Sequence, residues 1–252
     1  MTAFTGSDDL DGATFTNVSM RGAQFRGVDL ADVVMRGVDA SGLEIDGPWL
    51  FEGKGLTING IDVLPFVNAE LDKRFPGRAQ RSATDPDGLR SAWAALEGAW
   101  AATLERVATM PVGTVDISVG GEWSFAQTLR HLVLATDMWL GKAVLEREQP
   151  FHPLGLIDSG TEGDGFDTSG FVSATPPYAE VLAARAERVA MVRDYLADVT
   201  AADLATARKN PHAPECPEST LSCLHTILAE EWEHHRYAVR DLDALDAQPT
   251  EK

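Results

Sequence analysis

STLSCLHTILAEEWEHHRYAVRDLDAL, residues 219–245, is the stretch on which the reading of the fold turns. Apolar residues recur in it at helical spacing: Leu224, Ile227, Leu228, Trp232, Val239 and Leu242. At 100° per residue they gather into one stripe about 140° wide. Two polar residues, Glu231 and His235, fall near the centre of that stripe. A carboxylate and an imidazole four apart therefore point inward together. Burying an unpaired carboxylate costs on the order of several kcal/mol, so Glu231 needs a cation. An i,i+4 pair is also the spacing at which one helix can offer two ligands to one metal ion. A buried His⁺–Glu salt bridge fits the same spacing. Glu230 and His234, one position earlier, fall at the edge of the stripe and form the alternative register.

Working outward, three more long helical patterns precede this one. Residues 86–109 place Leu89, Trp93, Leu96, Trp100, Leu104 and Val107 three and four apart. A second helix opens at Ser124 as N-cap and runs to about 146; a third covers 177–198, and TAADLATARK adds one short turn after it. PVGTVDISVGGEW, between the first two, reads as a small turn or β-like element. The second and third helices are joined by REQPFHPLGLIDSGTEGDGFDTSGFVSATPP, a connection long enough to point to function or mobility. Four helices with one long crossover predict a four-helix bundle, with ligand sites between facing helices. On the second helix His131 shares a stripe with Thr128, Ala135 and Met138, and the small ones among these neighbours leave room beside the imidazole. With Glu231 and His235 it would make a His-Glu-His set. Three protein ligands leave a fourth position open, the arrangement of a catalytic metal site.

Two segments carry a family resemblance. GEWSFAQTLRHLVLATDMWL (121–140) and EEWEHHRYAVRDL (230–242) resemble the DinB-like superfamily, which carries His-x-x-x-His followed by Arg in its last helix. Its members are four-helix bundles, often dimers, that hold a divalent metal with one His on the second helix and two ligands four apart on the last. The resemblance covers about residues 85–245 and implies His131, Glu231 and His235 as the ligands. Glu231 stands where many members have His, a departure similar to the mycothiol-dependent maleylpyruvate isomerase branch. Glutamate there adds hard-oxygen character and favours zinc, nickel or manganese without choosing among them. The resemblance further implies a low-molecular-weight thiol such as mycothiol as second cofactor, an electrophilic small molecule as substrate, and a homodimer.

The N-terminal segment has a different grammar. From residue 8 it parses into fives: DDLDG, ATFTN, VSMRG, AQFRG, VDLAD, VVMRG, VDASG, LEIDG. Their third positions are Leu10, Phe15, Met20, Phe25, Leu30, Met35, Ala40 and Ile45. A period of five matches neither helix nor strand, but it suits a coil with a corner every five residues that turns its apolar residues inward. This resembles the pentapeptide-repeat family and implies a short right-handed quadrilateral β-helix of two coils. Coils at strand spacing make it only about 10 Å thick, too short to imitate a length of duplex. GLTINGIDV (55–63) reads as a strand turning at Asn59-Gly60, and PFVNAELDKRF as a short helix. PGRAQRSATDPDG reads as a linker. The expected class is therefore α+β multidomain, with a pentapeptide-repeat β-helix cap over 1–80 and a DinB-like four-helix bundle over 81–252.

Composition narrows the function. Thirty-nine acidic against 21 basic residues give a net charge of −18, which repels phosphate backbones and anionic lipid and argues against nucleic-acid or membrane partners. No apolar run is long enough to span a bilayer and no leader pattern opens the chain. With only Cys216 and Cys223, free thiols and a cytoplasmic setting are expected. No P-loop, dinucleotide fingerprint or serine elbow occurs. The leading reading is a metal-dependent thiol transferase, isomerase or detoxification enzyme. His152, at the start of the crossover, is the auxiliary catalytic candidate. Arg236 and Arg240 are candidates to hold a carboxylated cofactor, or else pair with neighbours such as Glu233 and Asp241. The second reading is a non-enzymatic, stress-associated binding protein that uses the repeat cap as its interaction surface.

Overall fold

The computed structural model describes residues 3–5, 10–51, 53–157, 167 and 169–247. The chain divides into two units, Met1–Asp46 and Gly47–Lys252.

In the first unit the five-residue corner is directly visible in the backbone. Gly12, Asn17, Gly22, Gly27, Asp32, Gly37 and Gly42 all have positive φ, and each is the last residue of its repeat. Only Gly, Asn and Asp occupy these positions, the residues that enter the left-handed region at least cost. At every second corner a carbonyl accepts from the amide three residues on: Leu10 from Ala13, Met20 from Ala23, Leu30 from Val33 and Ala40 from Leu43. With the positive φ at the third residue these are type II turns. No strand is assigned among the described residues of the repeats. The apolar third positions are half exposed, Leu10 at 46% and Phe15 at 54%, because so short an array gives each side chain few stacked neighbours.

The second unit starts earlier than the expected boundary at residue 80. A hairpin pairs β1 (Thr57–Ile58) with β2 (Ile61–Asp62) through Asn59 and Gly60, both of positive φ, as a type I′ turn requires. Helix α1 (Leu64–Arg74) follows, with its proline near the N-terminus. The stretch expected to be a linker is instead packed onto the bundle. Gly77, at φ +96°, lies so close that an added Cβ would stand 2.7 Å from the Ala95 methyl. Arg78 is buried and binds Asn68 and Asp72, with its guanidinium over the Phe51 ring. The buried cation and the close backbone approach make residues 64–82 part of the bundle unit.

The bundle itself follows the helical patterns closely. Helix α2 (Pro86–Thr109) is capped by Asp85, whose carboxylate accepts from the Gly88 amide. Helix α3 (Phe125–Thr136) begins with a capping box between Ser124 and Gln127. It widens into a π-helical stretch, Asp137–Val144, in which the Leu140 carbonyl accepts from the Leu145 amide five residues on. Helices α4 (Tyr178–Asp198) and α5 (Ala201–Leu204) come next. A hairpin of β3 (Ala207–Lys209) and β4 (Pro217–Ser219) leads into α6 (Thr220–Asp246), capped by Ser219. Helices α2 and α3 each pack against both α4 and α6, so α6 faces α4 across the diagonal of the bundle. Trp93, Leu96, Leu129, Leu132, Leu140, Ile227, Trp232 and Leu242 fill the interior. Among the described residues no helix is long and apolar enough to cross a membrane.

Candidate metal centre

The stripe on α6 is buried as its spacing predicts, yet its two central polar residues meet protein partners. Glu231 is 1% exposed, and Arg185 Nη2 on α4 stands 2.5 Å from both its carboxylate oxygens. Burial pushes the Glu231 carboxyl above the ordinary range, and the Arg185 charge works against this. His235 turns to α2. Its Nε2 lies 2.9 Å from Thr103 Oγ1, and that hydroxyl donates to the Ala99 carbonyl. The imidazole is therefore the donor in this pair. Phe75, Trp100 and Trp232 surround its ring edge-on, and burial lowers its pKa, keeping it neutral. Neither residue is grouped with His131. The expected set of His131, Glu231 and His235 is corrected on this geometry.

What His131 meets is the other register. Its Nε2 lies 3.2 Å from Glu230 Oε2, and His234 Nε2 lies 3.2 Å from the same oxygen. One ligand atom from each of His131, Glu230 and His234 falls within 4.8 Å of the others. All three side chains are largely buried, at 9%, 20% and 15% exposure. Trp123 covers them from one side, its ring centroid 4.7 Å from that of His131 and 5.8 Å from that of His234. Desolvation would raise the Glu230 carboxyl, but contacts from His131 and His234 outweigh it and hold the group far below the usual range. Burial depresses the His234 imidazole, opposed by Glu230.

The residues present fit a divalent cation. His131 Nδ1 lies 3.3 Å from the Leu156 carbonyl oxygen, which can only accept. Its Nε2 faces a carboxylate, which when ionised also only accepts. A neutral imidazole has one N–H and cannot serve both. Either His131 carries a second proton, or its Nε2 lone pair and the Glu230 oxygen share a cation. Two ligands on one tetrahedral ion, with bonds of about 2.0–2.1 Å, stand about 3.3 Å apart, close to the observed separations. Fixing one ring nitrogen on a carbonyl so that the other faces inward is the usual support of a metal-binding histidine.

The crossover supplies that carbonyl because helix α3 holds it. Arg130 Nε donates to the Leu154 carbonyl at 2.9 Å, and its Nη2 donates to the Val172 carbonyl at 2.8 Å. The Leu156 amide donates to the Arg130 carbonyl. His152 belongs to this fastening and not to the His131 group. Its amide donates to Asp137 at 2.8 Å, and its Nδ1 accepts from the Leu154 amide at 3.1 Å. Asp137, fully buried in the π-helical stretch, is paired with Arg188 on α4. Arg236 pairs with Glu233 and Arg240 with Asp241, and both guanidinium groups also lie over the Tyr237 ring. These are the ion pairs that the sequence offered as their alternative role. Cys223 is buried and Cys216 exposed, both as free thiols.

The chain belongs to the DinB superfamily, whose family model matches residues 95–238, more than half of its length. Pentapeptide repeats, in eight copies, match residues 9–42. No curated protein and no solved structure matches the chain.

Proposed function

We propose that this is a metal-dependent enzyme in which His131, Glu230 and His234 hold a divalent ion. The reaction we assign is transfer or isomerisation through a low-molecular-weight, mycothiol-like thiol acting on an electrophilic small molecule. One observation carries the metal reading. Two imidazoles converge on a single carboxylate oxygen while the other nitrogen of His131 is already directed at an acceptor. Zinc, nickel and manganese all accept two nitrogens and one carboxylate oxygen. When bound, such an ion supplies Lewis acidity, which favours the thiolate form of a coordinating thiol.

The chain's own residues prepare that chemistry. The Leu156 carbonyl fixes the tautomer of His131, so that Nε2 presents its lone pair inward. Trp123 lies against both imidazoles and excludes water from that side. Glu230 contributes one negative charge, so the three ligands neutralise half of a divalent charge and leave the site electrophilic.

Elemental analysis of the purified full chain tests the first part. About one divalent ion per chain is expected, lost in His131→Ala and in Glu230→Gln. Protein free of metal, with a melting temperature unmoved by His131→Ala, would overturn it. A cobalt-substituted sample tests the second part. Mycothiol, bacillithiol or cysteine should shift its visible spectrum; a spectrum indifferent to every thiol removes the thiol reading and leaves the metal.

A further inference from the structure

Helix α6 carries two consecutive polar doublets, Glu230-Glu231 and His234-His235. Neighbouring residues on a helix point about 100° apart, so one doublet cannot serve one partner. The two members of each doublet meet different helices. Glu230 bonds His131 on α3 and the His234 ring stands 4.7 Å from that of His131, His235 meets Thr103 on α2, and Glu231 reaches across the bundle to Arg185 on α4. Trp100 stands between the last two contacts, 5.0 Å from the His235 ring and 5.9 Å from the Arg185 guanidinium.

We infer that Arg185 and Glu231 are positioning residues that set the rotation of α6, and through it the aim of Glu230 and His234 at His131. An apolar stripe sets which face of α6 turns inward, but hydrophobic packing alone specifies a single arrangement less sharply than it specifies burial. A hydrogen-bonded buried ion pair has one satisfactory geometry, since any departure leaves a charge unpaired in the interior. Glu231 is adjacent to Glu230, so the rotation that pairs it with Arg185 also fixes where Glu230 points. The Thr103–His235 bond holds the same helix from a second direction.

The consequence for metal rests on the reading given under Proposed function, and the test separates the two. Cobalt(II) is titrated into the full chain as wild type, Arg185→Met, Glu231→Met and the double variant. Each single variant strands a buried ion and should lose thermal stability. The double variant strands none and should recover most of it. Its cobalt affinity should nevertheless remain about tenfold or more below wild type, with an altered visible spectrum, as when support of a metal ligand is lost. A double variant with wild-type stability, affinity and spectrum would show the pair to be structural only. Should that variant not fold, Arg185→Lys keeps the charge and changes the geometry. Weaker cobalt binding then supports positioning, and unchanged binding refutes it. If wild type binds no cobalt, the metal reading fails on its own. The positioning role is then read from the ¹H–¹⁵N imidazole signals of His131 and His234 in the metal-free chain. They should move in the variants, and unmoved signals overturn the inference.

Discussion

Glu230 and Glu231 share a residue type and a helix, and their surroundings assign them opposite tasks. The first faces two imidazoles, the second a guanidinium. Spacing identified Glu231 and His235 as inward, and their burial agrees with that. It did not reveal which neighbour each would meet, because helix phase specifies a face and not the residue opposite it. His235 is a core histidine with one ring nitrogen bonded to Thr103 and the other, Nδ1, buried without a hydrogen-bond partner among the described residues. Its folded pKa lies below the ordinary 6.5, so on acidification the unfolded chain takes up a proton first. Stability from this residue is therefore complete above 6.5 and falls as the pH descends from there towards the lowered folded value. Urea midpoints of the chelator-treated protein should drop between pH 7.5 and 5.5, and His235→Gln should flatten that slope. An equal slope in the variant would assign the effect elsewhere. Gly77 makes a second single-residue prediction. Alanine there must adopt φ near +96° and press a methyl against Ala95, so Gly77→Ala should cost about 1–3 kcal/mol in denaturant unfolding.

At the level of elements, helix existence was legible and helix termination largely so. Asp85-Pro86 and Ser124 with Gln127 are local signals, and a side chain three residues from its backbone partner needs no tertiary context. The π-helical widening at Asp137–Val144 left no comparable mark. It accompanies the buried pairing of Asp137 with Arg188 and the anchoring of His152, both long-range contacts. Length alone marks the crossover in the sequence, whereas its fastening depends on the Leu154 and Val172 carbonyls meeting one guanidinium, that of Arg130. Arg130→Met should release both carbonyls, costing about 1–3 kcal/mol, and weaken metal binding about tenfold through the lost support of His131. Hydrogen exchange provides the check. The Leu156 and Val172 amides should exchange faster in the variant, and unchanged protection there would mean that the loop is held without Arg130.

For the whole molecule, the five-residue register and the helical stretches separated two kinds of structure correctly, while the boundary moved. Residues 47–80 looked like a strand, a short helix and a linker, none with a long enough pattern to declare its partner. Gly77 against Ala95 and buried Arg78 attach the later part of this stretch to the bundle unit. The candidate metal centre lies wholly within Gly47–Lys252, which has its own hydrophobic core. A chain beginning at Gly47 should fold and bind cobalt with the affinity of the full chain. A loss of either would mean that the repeat unit contributes to the bundle's stability or site. The sequence by itself determined the repeats with a corner every five residues, four long helices, the Ser124 cap of one of them, and a last helix with carboxylate and imidazole groups turned inward. These are set by contacts within a few residues of one another. The tertiary structure alone decided that Glu230 and His234, rather than Glu231 and His235, stand with His131. That choice depends on where α2, α3 and α4 lie around α6, and their side chains come from residues about 45 to 130 positions away in the chain.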